Sequence, residues 1–230
     1  MSKSGCQVKT RTLHKPVRKR FHRNSYTVTN IDDVREIDLA DLGTLSKYND
    51  KYKYLLNVID IFSRYAWSVH LKDKTDKSIV AALRTLFQNR NPISIPSDKG
   101  TEFVHATVQQ YLKRQGVDFH TTHNPDIKGA VIERFNRTLK TKMYKYFTKN
   151  NTYRYLDVIN NLLTSYNNSV HSTISMAPSK VSPSNVYSVW QNVNSLGAKI
   201  RHGRVKFKVG DIVRITKEKL AFAKGYEQTF

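Results

Sequence analysis

Three short apolar runs early in the chain constrain its fold more than any other feature. They are Val34–Leu42, Tyr54–Phe62 and Tyr65–Leu71. A polar segment separates the first two, and a link of two residues separates the second from the third. Apolar runs of this length, bounded by turn residues, are typical of β-strands. They predict three consecutive antiparallel strands.

Strand-like and helix-like segments then alternate. Apolar residues recur every three or four positions after Asp76 and predict an amphipathic helix that ends near Arg90. The segments that follow are predicted as a strand at 92–96, a helix at 102–114, a strand at 117–121, a long helix to about 147 and a helix near 153–170. This order indicates an α/β fold: a mixed five-stranded sheet with helices on both faces.

The chain is strongly basic. It has 39 Lys and Arg against 18 Asp and Glu, a net charge of +21. Residues 1–31 hold eight of these cations and no acid, and their densest part contains Lys15, Arg18, Lys19 and Arg20. Such an arm could follow the phosphates of DNA or act as a nuclear address, and a solvated tail is the alternative. We expect a DNA-binding protein of the nucleus.

Two classes of partner and site are disfavoured. No apolar run approaches the roughly 20 residues that a membrane span needs, so we expect no membrane partner. Cys6 is the single cysteine, which excludes an intrachain disulfide and a cysteine-rich zinc site.

Three carboxylates are predicted to meet although they lie on different elements. Asp38 lies in the first strand, Asp98 follows the fourth strand, and Glu133 lies early in the long helix. Loops after parallel strands converge at one edge of a sheet, so these acids can form one cluster. Carboxylate oxygens are the ligands that Mg²⁺ prefers, and two such ions could activate and stabilise the oxygens of a phosphodiester. Alternatively, Asp38 pairs with Arg35, Asp98 caps a helix, and Glu133 is solvated.

The helix that carries Glu133 also presents cations. At about 100° per residue, Glu133, Arg137 and Lys140 share one face beside the apolar stripe. This would put metal binding and phosphate binding on one surface. Ordinary support of the helix by Glu-Arg pairs is also consistent with the pattern.

Four segments resemble the DDE-type integrase core of retroviruses, retrotransposons and especially the Polinton/Maverick transposons. They are Tyr54–Lys72, Ser97–Phe103, Ala130–Lys142 and Tyr166–Pro178. The resemblance implies a ribonuclease H-like fold and a polynucleotidyl transferase that processes 3′ ends and transfers strands into target DNA.

The resemblance also implies roles for individual residues. Asp38, Asp98 and Glu133 would be the catalytic residues and would bind two Mg²⁺ or Mn²⁺ ions. Asn136 would lie beside the metals, and Arg137 and Lys140 would hold the donor DNA end. A homo-oligomer is expected, because joining two ends to one target needs at least two active sites.

Several departures leave alternatives open. The residues before Asp38 differ from those of relatives, so Asp41 is an alternative first ligand. An altered first strand and a short C-terminal segment are also compatible with a degenerate DNA-binding module, and the triad alone with a ribonuclease H-like nuclease. We expect a basic arm at 1–31, the integrase core at 32–171, a connector at 172–202 and a partial C-terminal β segment at 203–230.

Overall fold

A computed structural model of the protein describes residues 28–88, 90–97, 101–121, 129–198 and 210–211. Almost all of these residues belong to one compact unit of the chain. Three predictions lie outside the described residues: the basic arm with Lys15, Arg18, Lys19 and Arg20, the ligand Asp98, and all but two residues of the C-terminal β segment.

The three predicted antiparallel strands are confirmed. They are β1 (Arg35–Asp41), β2 (Tyr54–Asp60) and β3 (Ala66–Leu71), and β2 lies in the middle. The other two strands, β4 (Ser94–Ser97) and β5 (Asp118–Thr121), pair in parallel.

The prediction of a single five-stranded sheet is wrong, because the strands form a three-stranded and a two-stranded sheet. β4 approaches β1 at one isolated parallel bridge, between Val34 and Ser94. Residues two apart in a strand point their N–H groups to the same side. Pro96, two residues after Ser94, therefore occupies the position from which the next backbone N–H would donate to β1. Proline has no N–H. The ladder between the two sheets cannot continue past Ser94.

Six α-helices lie in the described part of the chain. They are α1 (Asp76–Leu86), α2 (Thr101–Val104), α3 (Ala106–Arg114), α4 (Ala130–Asn150), α5 (Ile159–Asn167) and α6 (Val186–Ala198). None of these helices has the length and apolar character that crossing a membrane requires.

The helix predicted near 153–170 begins too early, because α5 begins at Ile159. The backbone N–H of Tyr155 donates to Asn49 Oδ1 at 2.7 Å. Asn49 Nδ2 donates to the carbonyls of Leu45 at 2.8 Å and Tyr153 at 2.9 Å. This fully buried amide therefore holds the residues before Ile159 against a 3₁₀ turn instead of leaving them helical.

Apolar layers cover both faces of the three-stranded sheet. In β2, Leu56 and Val58 point to the cluster that includes residues of α1 and α3. Leu55 and Ile59 alternate with them and point to the cluster formed with α4 and α5. Because side chains of a strand alternate, Asn57 shares the second face, under α4.

Candidate active site

A row of polar side chains crosses the sheet beneath α4. In the strand register Asp38 of β1 lies opposite Asn57 of β2, and Asn57 lies opposite Ser68 of β3. Antiparallel partners point to the same face, so all three side chains face the helix. The row is therefore a product of strand pairing rather than of nearness in sequence.

Asn136 of α4 joins this row. The Ser68 hydroxyl donates to Asn57 Oδ1. Asn57 Nδ2 donates to Asn136 Oδ1 at 2.7 Å, and Asn136 Nδ2 donates to Asp38 Oδ2 at 2.5 Å. A continuous chain of hydrogen bonds thus runs from the edge strand through the helix to the carboxylate.

The direction of this chain sets the orientation of both amides. An ionised carboxylate can only accept hydrogen bonds, so Asn136 must turn its NH₂ group toward Asp38. Its oxygen then needs a donor, which Asn57 supplies because the oxygen of Asn57 is already occupied by Ser68. Asn57 is buried, so water does not readily replace this donor.

The environment of Asp38 disfavours its charge. Burial raises the pKa of this carboxyl, and the nearby Glu102 carboxylate raises it further. The hydrogen bond from Asn136 and the cation of Lys140 lower it. Among the described residues Asp38 forms no ion pair. A divalent cation would supply the missing positive charge.

A second contact holds α4 against β1. Glu36 Oε2 accepts the backbone N–H of Ile132, in the first turn of the helix, at 2.7 Å. Burial raises the pKa of Glu36 to about 7, and this hydrogen bond opposes the rise. The turn before the helix is tight: a Cβ on Gly129 would lie 2.9 Å from the Ile132 side chain and 3.5 Å from Glu36 Oε2. Glu36 and Asp38 together place the helix over the strand.

Glu133 and the predicted phosphate-binding cations share the open side of α4. Glu133, Arg137 and Lys140 are exposed and, with Asn136, line a groove of about 950 Å³. Further along the helix this groove is lined by Tyr144, Lys145 and Lys149. The predicted face is therefore present: one carboxylate at its start, followed by cations.

Asp98, the remaining predicted ligand of the metal site, lies outside the described residues. In the described ranges no three His, Cys, Asp or Glu side chains are grouped so that they could hold a metal ion. The chemistry of the donors fits a hard cation, because Asp38 is a partly buried carboxylate that forms no ion pair with the described residues. The roles of Asp38, Asp98 and Glu133 stay predictions.

Contacts of nearby residues bear on two alternatives: that Asp38 pairs with Arg35, and that Asp41 is the first ligand. Arg35 pairs with Asp32 at 2.6 Å and not with Asp38. Asp41 Oδ1 accepts the N–H of Gly43 at 2.7 Å and closes the turn after β1.

Sequence reasoning missed Asn57, Ser68 and Glu102. Nothing in the spacing of Asn57 and Ser68 links them to Asp38, because only the strand register brings them together. Glu102 could have been found from the sequence, because it is a second acid in the segment that follows β4.

Comparison with known proteins shows which proteins the chain is similar to. Residues 17–125 match the family model described as an integrase core domain. An uncharacterized transposon-derived protein of Caenorhabditis elegans is 37% identical over 189 residues, 81% of this chain and 63% of that protein. Residues 17–125 are therefore similar to integrase core domains. The chain spans less than two thirds of the length of this relative.

Solved structures of integrases share the fold of this chain. The magnesium complex of the HTLV-2 integrase catalytic core domain, in its trimeric form, has a TM-score of 0.53 at 20% identity and covers 65% of this chain and 95% of that one. The simian T-cell lymphotropic virus intasome in complex with PP2A regulatory subunit B56 gamma has a TM-score of 0.59 at 19% identity and covers 93% and 72%. The ribonuclease H-like fold is thereby confirmed.

Proposed function

We propose that this integrase core catalyses 3′-end processing of transposon DNA and transfer of the processed strand into target DNA. The observation that carries the proposal is the hydrogen bond between Asn136 and Asp38. It ties a strand carboxylate to the helix face that also presents Glu133, Arg137 and Lys140. A DNA backbone on that face would have its phosphates at the cations and one phosphodiester near the acids.

Asp38, Asp98 and Glu133 would hold two Mg²⁺ or Mn²⁺ ions. When bound, such ions activate a water or a 3′-hydroxyl and stabilise the leaving oxygen. The residues of this chain position the reactants. Asn136 holds the Asp38 carboxylate in one orientation, and Asn57 holds Asn136.

DNA binding is divided between the helix and the basic arm. Arg137 and Lys140 would contact phosphates of the donor end, and exposed Tyr144 offers a ring for stacking. Lys15, Arg18, Lys19 and Arg20 would add contacts that are not specific for sequence. The cationic arm also supports a nuclear location, where the target DNA is.

We further propose that the protein acts as a homo-oligomer and derives from a Polinton/Maverick-type element. The HTLV-2 core has been solved in trimeric and dimeric forms, and the simian virus relative is an intasome. Two active sites are needed to join two DNA ends to one target.

A branched DNA that mimics the joined product tests the chemistry without knowledge of the element ends. Wild-type protein in Mn²⁺ should resolve this DNA by reversing strand transfer. Asp38→Asn, Asp98→Asn and Glu133→Gln should each lose activity by several orders of magnitude, because the amides remove ligand charge but keep shape. Binding to the same DNA in Ca²⁺ should change little, because the cations that bind phosphate are intact.

Asp41→Asn is the matched control. It removes the same charge from the same strand, three residues on, at a carboxylate that only closes a turn. Cleavage by Asp41→Asn at the wild-type rate supports the assignment, and loss of cleavage equal to that of Asp38→Asn contradicts it. Tight DNA binding without cleavage by the wild type would favour a DNA-binding module instead.

A further inference from the structure

A second, smaller cavity lies on the neighbouring face of α4. It has a volume of about 530 Å³ and is bounded by α4, the end of α5, the loop at 169–173 and the link between β2 and β3. Three cationic side chains line it, namely Arg64, Arg134 and Lys142. No carboxylate of the described residues lines it. The cavity is therefore built for a negative ligand.

Arg64 is the most informative of these cations. Its residue occupies the link between β2 and β3 with φ of 62°, so the turn holds it in place. Burial lowers the pKa of its guanidinium, and Glu36 and Asp60 oppose this shift only at a distance. Within the described ranges the side chain has no ion pair, and its Nε is buried without a hydrogen-bond partner.

A buried guanidinium N–H without an acceptor is costly unless something binds it. Its neighbours in the cavity offer donors of a second kind, the hydroxyls of Ser172 and Thr173. Guanidinium, ammonium and hydroxyl groups together form the donor set that recognises a phosphate.

We propose that this cavity binds a backbone phosphate of a DNA duplex that lies along α4. The inference rests on the proposed function, because it assumes that DNA follows this helix. It goes further by assigning Arg64, Arg134 and Lys142 to a second row of phosphate-binding groups. This row is separate from the groove that contains Glu133.

The charge of α4 favours DNA over an acidic protein. The helix holds six Lys or Arg and one Glu in 21 residues, and spans about 30 Å. Successive residues are rotated by about 100°, so Arg134 faces the cavity while Glu133 faces the groove. Duplex DNA carries one charge about every 1.7 Å along its axis, so one duplex can satisfy cations on both faces.

The test compares the salt dependence of DNA binding between two double variants of the full chain. Arg134→Gln/Lys142→Gln removes two charges from the cavity and leaves the turn residue Arg64 intact. Lys113→Gln/Arg114→Gln removes two charges from the exposed end of α3 and is the control. Isotherms with a labelled 30-base-pair duplex are measured in Ca²⁺ at several salt concentrations.

The cavity variant should lower the slope of log K against log salt by about 0.9 for each phosphate that the protein no longer neutralises. The control should keep the wild-type slope. An unchanged slope in the cavity variant, or an equal change in both variants, overturns the site. A change of oligomeric state in the cavity variant with an unchanged slope also overturns it and indicates a contact between copies of this chain.

His171 gives a second measurement that needs no variant. Burial, with Arg64 and Arg134, lowers the pKa of its imidazole to about 4, and Lys142 and Tyr166 line the same cavity. A phosphate there would offset the cations, so the ring pKa should rise when duplex DNA is added, as followed by NMR of labelled histidine. No rise at saturating DNA overturns the site.

These results are independent of catalysis. If the wild type resolves branched DNA and the cavity variant keeps the wild-type slope, the phosphate site is wrong and the proposed function stands. If the wild type cleaves no DNA but the cavity variant shows the expected decrease in slope, the proposed function is wrong and the phosphate site stands.

Discussion

Replacing Asn57 with aspartate tests whether the polar row orients the candidate active site. The new carboxylate keeps the shape of the amide and can still accept the Ser68 hydroxyl. When ionised it has no proton to donate to Asn136 Oδ1. The Asn136 amide would then turn its NH₂ group toward residue 57 and present its oxygen to Asp38, so the hydrogen bond to Asp38 would break.

The size of the effect follows from the hydrogen bond that breaks. The acceptor of the bond from Asn136 to Asp38 is a carboxylate. Hydrogen bonds to charged groups contribute about 1.5–3 kcal/mol. At about 1.4 kcal/mol for each factor of ten, cleavage should slow by roughly 10- to 150-fold.

Resolution of branched DNA at saturating DNA and Mn²⁺ measures this rate, and a binding isotherm in Ca²⁺ checks that affinity for DNA is unchanged. Ser68→Ala is the control, because it removes the outer end of the row but leaves the Asn57 donor in place. Its rate should stay within about threefold of wild type, since Ser68 is half-buried and water can replace its hydroxyl. Cleavage by Asn57→Asp at the wild-type rate would refute the orienting role.

Four further outcomes are expected. Asn49→Ala should lower the free energy of unfolding by about 2–4 kcal/mol in urea titrations, because buried backbone groups lose their partners. The pKa of His171 is about 4 in the folded state and that of an ordinary histidine about 6.5, so the unfolded state binds more protons between these values. Stability should therefore fall as pH drops from about 6.5 toward 4, and His171→Gln should flatten that part of the curve. Millimolar Mn²⁺ should raise the melting temperature of the wild type by mass action and leave Asp38→Asn/Glu133→Gln unmoved. Deleting residues 1–23 removes eight cations and spares buried Val28, and the salt slope of DNA binding should fall.

Local patterns in the sequence were sufficient for the elements and for part of the site. Apolar runs bounded by turn residues predicted β1, β2 and β3, and apolar spacing along α4 predicted its buried face. The same spacing predicted that Glu133, Arg137 and Lys140 share a face, as they do in the groove. These properties depend on residues within a few positions of one another, so periodicity alone carries them.

Contacts between distant segments were beyond such reasoning. The prediction of a single five-stranded sheet was wrong because Pro96 lies beside β1 where an N–H donor is required. A local sequence pattern does not show which strand will lie beside Pro96. Asn57, Ser68 and Arg64 looked like ordinary strand and turn residues.

The sequence by itself determined most of the strands and helices, the excess of positive charge and the candidate acids for a metal site. Tertiary structure alone decided what those groups face. The strand register aligned Asp38 with Asn57 and Ser68, and packing of α4 on the sheet placed Asn136 above them. Hydrogen bonds and electrostatic fields act over a few ångströms in space, whatever the separation along the chain, so only the folded protein shows which groups act together.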